Sequence, residues 1–244
     1  MGLRLVLKNI VCHLTFVFLL FVGTTASYAV TCNLESTEGF NIPNKAREII
    51  TKGYNKVSIK SILGVKYLVL TNEHDINKCS ILFKIDGQVI ETIPVIGAKE
   101  QICNITIRHD KIVSSWRDSG EWNDDVYQVS LEGKWTLLFR DSCVGCDQIK
   151  RTYFSNGDAK DTVLFTNGSD FSVRKVLTGQ ILVDKANLYK TPNFDMKTNF
   201  YLIRGNNITL TDMSKNGEFY KMEYRTSSGK KIISWIESDA FLFE

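Results

Sequence analysis

Ser80–Ile93 reads SILFKIDGQVIETI. Two short runs rich in Ile, Val and Phe flank Asp86-Gly87, a pair that supplies the positive φ angles of a two-residue type I′ turn. Runs of this length bounded by a turn signal are strands, so the segment predicts a β-hairpin with its turn at Asp86-Gly87. The same device recurs outward along the chain. KVSIKSILGVKYLVL turns near Gly64, CNITIRHDKIVSSW at His109-Asp110, VYQVSLEGKWTLLF at Glu132-Gly133, and IKRTYFSNGDAKDTVLF around Asn156-Gly157. One short helix is predicted from Pro43 to Lys52, where Ala46, Ile49 and Ile50 form an apolar stripe and Gly53 suits the C-terminal end. No strand–helix–strand alternation is present, so a parallel α/β sheet is excluded and the fold class is all-β, an antiparallel meander or sandwich.

The first residues set the compartment. Arg4 and Lys8 precede an apolar run, Val11–Val22, and GTTASYA then places Ser27 and Ala29 at the −3 and −1 positions of a cut before Val30. The run is shorter than the ~20 residues a bilayer span requires, so residues 1–29 read as a cleaved leader and the mature chain as periplasmic or secreted. A membrane would be met only through the uncleaved leader. Thr31 fits poorly the small-residue position that a lipid anchor on Cys32 would need. Of 30 Lys and Arg, Arg4 and Lys8 leave with the leader, so 28 face 27 Asp and Glu. That balance gives no basis for a nucleic-acid groove.

Cysteine usage follows from export. Cys12 leaves with the leader and five of the six cysteines stay. Outside the cytoplasm they pair. Cys79 and Cys103 each open a strand, and a bridge between them closes a loop of about 25 residues, worth ~3 kcal/mol of loop-closure entropy. Cys143 and Cys146, in SCVGCDQ, have a spacing that suits a staple at a strand corner. A thiol redox centre would place the first thiolate at a helix N-terminus, which this strand-rich context lacks, and a zinc site would need a second pair of ligands. Cys32 is then the odd thiol. No metal and no cofactor is expected.

Catalytic groupings are thin. His74 and His109 are the mature histidines, and His109-Asp110 is a natural hairpin turn. DSGEWNDDVY carries Asp118, Glu121, Trp122, Asp124 and Asp125, read as an acidic loop flanked by Trp116, Trp122 and Trp135. That loop is a secondary candidate for binding or for blocking a wall-degrading enzyme.

Hydrophilic residues cluster at Thr166–Ser172, which divides a β-rich domain, 30–170, from a second one, 176–244. The second has five candidate strands: Ile181–Val183, Tyr201–Ile203, Ile208–Asp212, Phe219–Tyr224 and Ile232–Ile236. Turns fall at Asn206-Asn207, Asn216-Gly217 and Ser228-Gly229. Five short strands over one small core make an SH3-like barrel. ANLYKTP, YLIRGNNITL, NGEFYKMEY and GKKIISWIESDAF follow one another as do the segments of the bacterial SH3 (SH3b) family, which this last quarter of the chain resembles. Ser234 stands where that family has a glycine before its tryptophan. Tyr189 and Lys190 replace part of its Asn-x-Arg segment. The resemblance implies binding of cell-wall material or a protein partner without chemistry, through Tyr189, Tyr201, Phe219, Tyr220 and Trp235. Ile233 and Ile236 flank Trp235 and favour its packing in the core, whereas Tyr189, beside a loop, is the better surface residue. Three functions stay open: an envelope binding protein that is not an enzyme, an inhibitor or immunity protein acting through Asp118–Asp125, and a thiol redox protein using Cys143 and Cys146.

Overall fold

The computed structural model describes residues 39–96, 102–144 and 147–244, together with the backbone of 33–35. The chain is nearly all β, and its contacts divide it into two compact units. Among the described residues, the first unit holds those up to Ile102 with the hairpin tip 131–133, and the second those from Cys103 to Ser130 and from Lys134 onward.

In the first unit the strands are β1 (Asn33–Glu35), β2 (Lys56–Ile62), β3 (Val65–Thr71), β4 (Cys79–Asp86) and β5 (Val89–Ile90), hydrogen-bonded in that order, with β6 (Ile102–Cys103) pairing β4. β1 runs parallel to β2, and the hairpins that follow are antiparallel. Helix α1 (Asn44–Thr51) buries Ala46 and Ile49 in a core with Val57, Leu68, Leu70, Ile81, Phe83 and Ile85. Those strand residues alternate along the chain, as one face of a sheet requires. Pro43 caps the helix with an extended backbone, φ −61° and ψ 150°, one position earlier than its expected place within the first turn. Gly53 at φ +102° ends the helix as the sequence indicates. The Asp86-Gly87 turn differs from its expected type. Asp86 is still paired, with Val89, and the loop is Gly87-Gln88 with the positive φ at Gly87 alone, the pattern of a II′ turn led by glycine. Cys79 and Cys103 are joined in the expected disulfide, Cys79 opening β4 but Cys103 closing β6 rather than opening a strand.

The second unit begins with β7 (Thr106–Arg108), β8 (Lys111–Asp118), β9 (Glu121–Val129), β10 (Trp135–Val144), β11 (Gln148–Ser155) and β12 (Asp158–Thr166). They form one antiparallel meander in chain order. His109-Asp110 and Asn156-Gly157 hold two positive φ angles in succession, the I′ geometry that matches strand twist. Ser119-Gly120 does the same between β8 and β9. The stretch 118–125 is therefore a tight hairpin and not an acidic loop: Asp118 and Glu121 pair across the turn, while Trp122, Asp124 and Asp125 lie within β9.

The remaining strands are β13 (Thr178–Ile181), β14 (Ala186–Tyr189), β15 (Lys197–Leu202), β16 (Asn207–Met213), β17 (Phe219–Arg225), β18 (Lys231–Glu237) and β19 (Phe241–Phe243). Their order is β15-β14-β18-β17-β16-β13-β19, an open path, so the expected barrel does not close by hydrogen bonding. Gly179 is required by packing here: a Cβ added to it would stand 2.6 Å from the Phe241 ring. The two sheets of this unit share a core. Leu164 of β12 and Leu177 pack with Ile181, Leu188, Leu210, Met222 and Ile236. The backbone continues the link, Leu177 N–H donating to Leu164 at 2.8 Å and Leu210 N–H to Leu177 at 3.0 Å. Thr166–Ser172, the hydrophilic stretch, lies immediately ahead of this junction.

Candidate functional site

Three groupings of polar or aromatic side chains stand out, and local geometry separates them.

The first is on the six-stranded sheet. Register places Ser115, Asp124, Asp141 and Arg151 side by side on one face. Asp141 is fully buried. Arg151 meets it in a two-pronged pair, Nε to Oδ1 and Nη2 to Oδ2 both at 2.7 Å, and Arg174 donates to its Oδ2 as well. Arg151 is stacked between Phe139 and Phe165, 4.0 and 4.3 Å from the ring centres, and Arg174 lies 5.4 Å from that of Trp122. Desolvation works against the Arg151 charge, but the hydrogen bonds and charge of Asp141 outweigh it and raise its pKa. Burial pushes the Asp124 carboxyl up, against the hydrogen bond from Ser115 at 2.6 Å and the charge of Arg174. Arg174 also donates to the carbonyl of Gly168, and Arg151 to that of Phe171. The network thus fastens residues 168–174 onto the sheet. Two acids balance two bases, and Asp141 is spent on its arginines, so this is a packing device.

On the other face, Asp125 is buried, accepting from Arg140 Nη2 at 2.9 Å and from Trp116 Nε1 at 3.1 Å. Asp118 and Glu121 remain exposed at the turn. The five residues of the secondary candidate are therefore distributed over a turn and both faces of a sheet.

The second grouping is Ser172, His109 and Asp170. Ser172 Oγ donates to Asp170 Oδ1 at 2.6 Å, and His109 Nε2 lies 3.2 Å from Ser172 Oγ and 3.3 Å from Asp170 Oδ1. A hydrolytic triad uses both imidazole nitrogens, one toward the hydroxyl and one toward the carboxylate. Here a single nitrogen faces both, and Ser172 also donates its backbone N–H to Asp170 at 2.9 Å in an Asx turn, so that the Ser172 hydroxyl first and this N–H second hold the Asp170 pKa down. The grouping is a turn motif. Cys143 is buried in β10, a strand and not a helix N-terminus, and Cys146 and Cys32 lie outside the described residues. Among the described residues no group of three His, Cys, Asp or Glu is placed to hold a metal, and no helix is long and apolar enough to cross a membrane.

The third grouping lies on the seven-stranded sheet. Met222 and Ile236 point into the core, so by alternation Phe219, Lys221 and Glu223 of β17 and Ile233, Trp235 and Glu237 of β18 point outward. On β14, Ala186 and Leu188 point inward and Tyr189 outward. Trp235 is paired with both Tyr189 and Lys221, and Tyr201 of β15 is paired with Asn187. Phe194, in the 3-10 turn Phe194–Met196 between β14 and β15, folds back over this face. Its ring centre is 4.7 Å from Phe219 and 6.3 Å from Tyr189, which is itself 5.2 Å from Phe219. The result is a floor of Tyr189 and Phe219, both buried, beneath an exposed Phe194, with half-buried Trp235 and exposed Ile233 and Tyr201 beside it. The Tyr189 phenol donates to Glu237 Oε1; desolvation first, then Glu237, pushes its pKa up to about 12.

The five aromatic residues singled out from sequence are thus partly brought together. Tyr189, Phe219, Trp235 and Tyr201 share the outer face. Tyr220 does not: it faces the core, edge-on to Phe241 and Phe243, with its hydroxyl taking a hydrogen bond from Gln148 Nε2 at 2.9 Å. The expected exposures of Tyr189 and Trp235 are exchanged, because Phe194 covers the tyrosine and strand alternation turns the tryptophan away from Ile236. Phe194 and Ile233 were missed. Asn193 was a usable signal for the first, since its Oδ1 accepts from Asp195 N–H at 2.9 Å and so starts the turn that carries Phe194.

No family model, no curated protein and no solved structure matches the chain.

Proposed function

We propose that this chain is an exported, non-enzymatic protein of the bacterial envelope that binds cell-wall material or a protein partner through the outer face of an SH3-like C-terminal domain. The observation that carries this reading is the open row of apolar side chains, Phe194, Trp235, Ile233 and Tyr201, on a sheet whose opposite face is already packed. Rigid aromatic surface of this kind gives wide contact at small entropic cost, which suits extended peptides and sugar faces. The leader-like start and the Cys79–Cys103 disulfide support export. The strand order β19-β13-β16-β17-β18, with the β14–β15 hairpin inserted after β13, supports the SH3-like reading.

The inhibitor reading loses its acidic loop, since Asp125 is buried and Asp124 half-buried in β9. The redox reading draws no support from a Cys143 set in a strand.

Co-sedimentation of the full chain with purified peptidoglycan, in parallel with binding to isolated envelope proteins, tests the proposal. Trp235→Ala and Tyr201→Ala are expected to abolish whichever retention the wild type shows, while Asp118→Ala with Glu121→Ala leaves it intact. Retention that survives both aromatic changes would overturn the reading.

A further inference from the structure

Strand register draws one row across the outer face of the seven-stranded sheet. Lys197 of β15 is paired with Tyr189 of β14, Tyr189 with Trp235 of β18, and Trp235 with Lys221 of β17. Side chains paired in this way point to the same side of a sheet, so two lysines bracket two rings. Phe194 lies over Tyr189, and the middle of the row therefore presents Phe194 and Trp235 to solvent. A third cation stands beside the row: Lys185 Nζ is 4.6 Å from the centre of the Tyr201 ring.

The acids nearby are engaged elsewhere or lie off the row. Asp212, the neighbour of Lys221 on β16, accepts from Lys150 Nζ at 3.0 Å through both oxygens. Glu223 is held by Arg225 at 2.9 Å and Lys231 at 2.7 Å, and Glu237 accepts the Tyr189 phenol. Glu218 alternates to the other side of the sheet from Phe219 and accepts from Asn216. Asp195 and Asp239 are exposed in the two 3-10 turns. Among the described residues, no carboxylate lies within ion-pair distance of Lys185, Lys197 or Lys221.

The spacing of the row selects its occupant. Three strand gaps of ~4.8 Å put the two lysine positions about 14 Å apart, the length of about four residues of extended chain at ~3.4 Å each. In such a chain residues four apart share a face, and so does the residue midway between them. An acidic residue at each end and an apolar one in the middle meet Lys197, Lys221 and the Phe194–Trp235 surface together. A neutral glycan gains from the rings and leaves both lysines unanswered, and a basic segment is repelled by them. Resting on the binding reading above, we propose that the occupant of this face is an extended protein segment with two Asp or Glu residues four positions apart about an apolar residue, laid across the strands with its carboxylates at Lys197 and Lys221.

Selection of randomised phage-displayed peptides on the immobilised full chain, disulfide intact, tests this. The retained pool should be enriched in Asp and Glu over the input, with pairs of acids four positions apart. A synthetic peptide from that pool should bind ~10-fold more weakly to Lys197→Gln with Lys221→Gln, with a flatter salt dependence, and keep its affinity for Lys197→Arg with Lys221→Arg. Should the glutamine pair disturb folding, Lys197→Gln alone, at an exposed position, is expected to weaken binding several-fold in the same direction. A pool without acidic enrichment, binding indifferent to the glutamine changes, or no retained pool at all overturns the inference. In each of these cases the binding face still stands if purified peptidoglycan is bound and then released by Trp235→Ala. Peptide or wall retention that Trp235→Ala and Tyr201→Ala leave unchanged overturns the binding face, and the inference with it.

Discussion

On the six-stranded sheet Asp141 is wholly buried and gripped by Arg151 and Arg174, whereas on the seven-stranded sheet Glu237 accepts from the Tyr189 phenol and stands at the edge of exposed rings. Both sheets belong to one unit and share a core, so the contrast is not one of compactness. It lies in what is left over once the fold is made. A buried carboxylate with two guanidiniums has no capacity for a ligand, and stacking of those guanidiniums on Phe139, Phe165 and Trp122 completes the enclosure. The outer face of the other sheet keeps apolar area facing water. Aromatic and charged residues mark function only where the fold has not already paired them.

The contrast is broken most directly at Asp141. Asp141→Asn takes from buried Arg151 and Arg174 the carboxylate that both grip, and loss of one partner from such a group costs about 3–5 kcal/mol. Urea unfolding followed by tryptophan fluorescence is expected to show that loss, and a change below ~1 kcal/mol would mean that residues 168–174 are held by other contacts.

Trp235→Ala should show the opposite profile. The side chain is half-buried on the outer face, so stability falls by only ~1 kcal/mol while ligand retention is lost. A large fall in the unfolding midpoint would place Trp235 with the structural residues and blur the distinction.

Tyr189 sharpens it through pH. The native phenol holds its proton to about 12, against an ordinary value of 10.0. The native state therefore binds that proton more tightly than the unfolded chain. The resulting stability is complete below pH 10 and is lost as pH rises through the native value. Tyr189→Phe should flatten the alkaline limb of the stability profile; an unchanged limb would remove the phenol–carboxylate pair from the account.

Asp124 gives the smallest effect. Its raised pKa means that whatever the neutral carboxyl contributes is present in acid and declines as pH rises through the native value. At neutral pH Asp124→Asn should move stability by less than ~1 kcal/mol, in contrast with Asp141, its direct cross-strand partner. A loss equal to that of Asp141→Asn would make the two acids one unit.

Much of the fold was legible because hairpins are local. His109-Asp110, Asn156-Gly157 and Gly64 announce their turns in two residues, and α1 carries its own stripe and terminal glycine. Strands β14 and β19 were missed because Ala186–Tyr189 and Phe241–Phe243 are too short for periodicity to speak, and pairing alone makes them strands. Ser119-Gly120 was overlooked because the acids around it read as a solvated loop, although their alternation already fitted β9. Side-chain direction was the least legible. Tyr189 is covered by a phenylalanine five residues on, and Tyr220 and Trp235 take opposite faces because of which neighbour each strand meets. The partners of Asp141 lie 10 and 33 residues away, so no spacing rule could have joined them.

Hydroxyl-radical footprinting of the full chain, alone and saturated with the ligand it retains, tests the central claim most directly, since both regions carry oxidisable aromatic residues. The account predicts that Phe194, Tyr201 and Trp235 become protected while Trp116 and Trp122 keep their reactivity. Protection at Trp116 or Trp122 with none at Trp235 would contradict it.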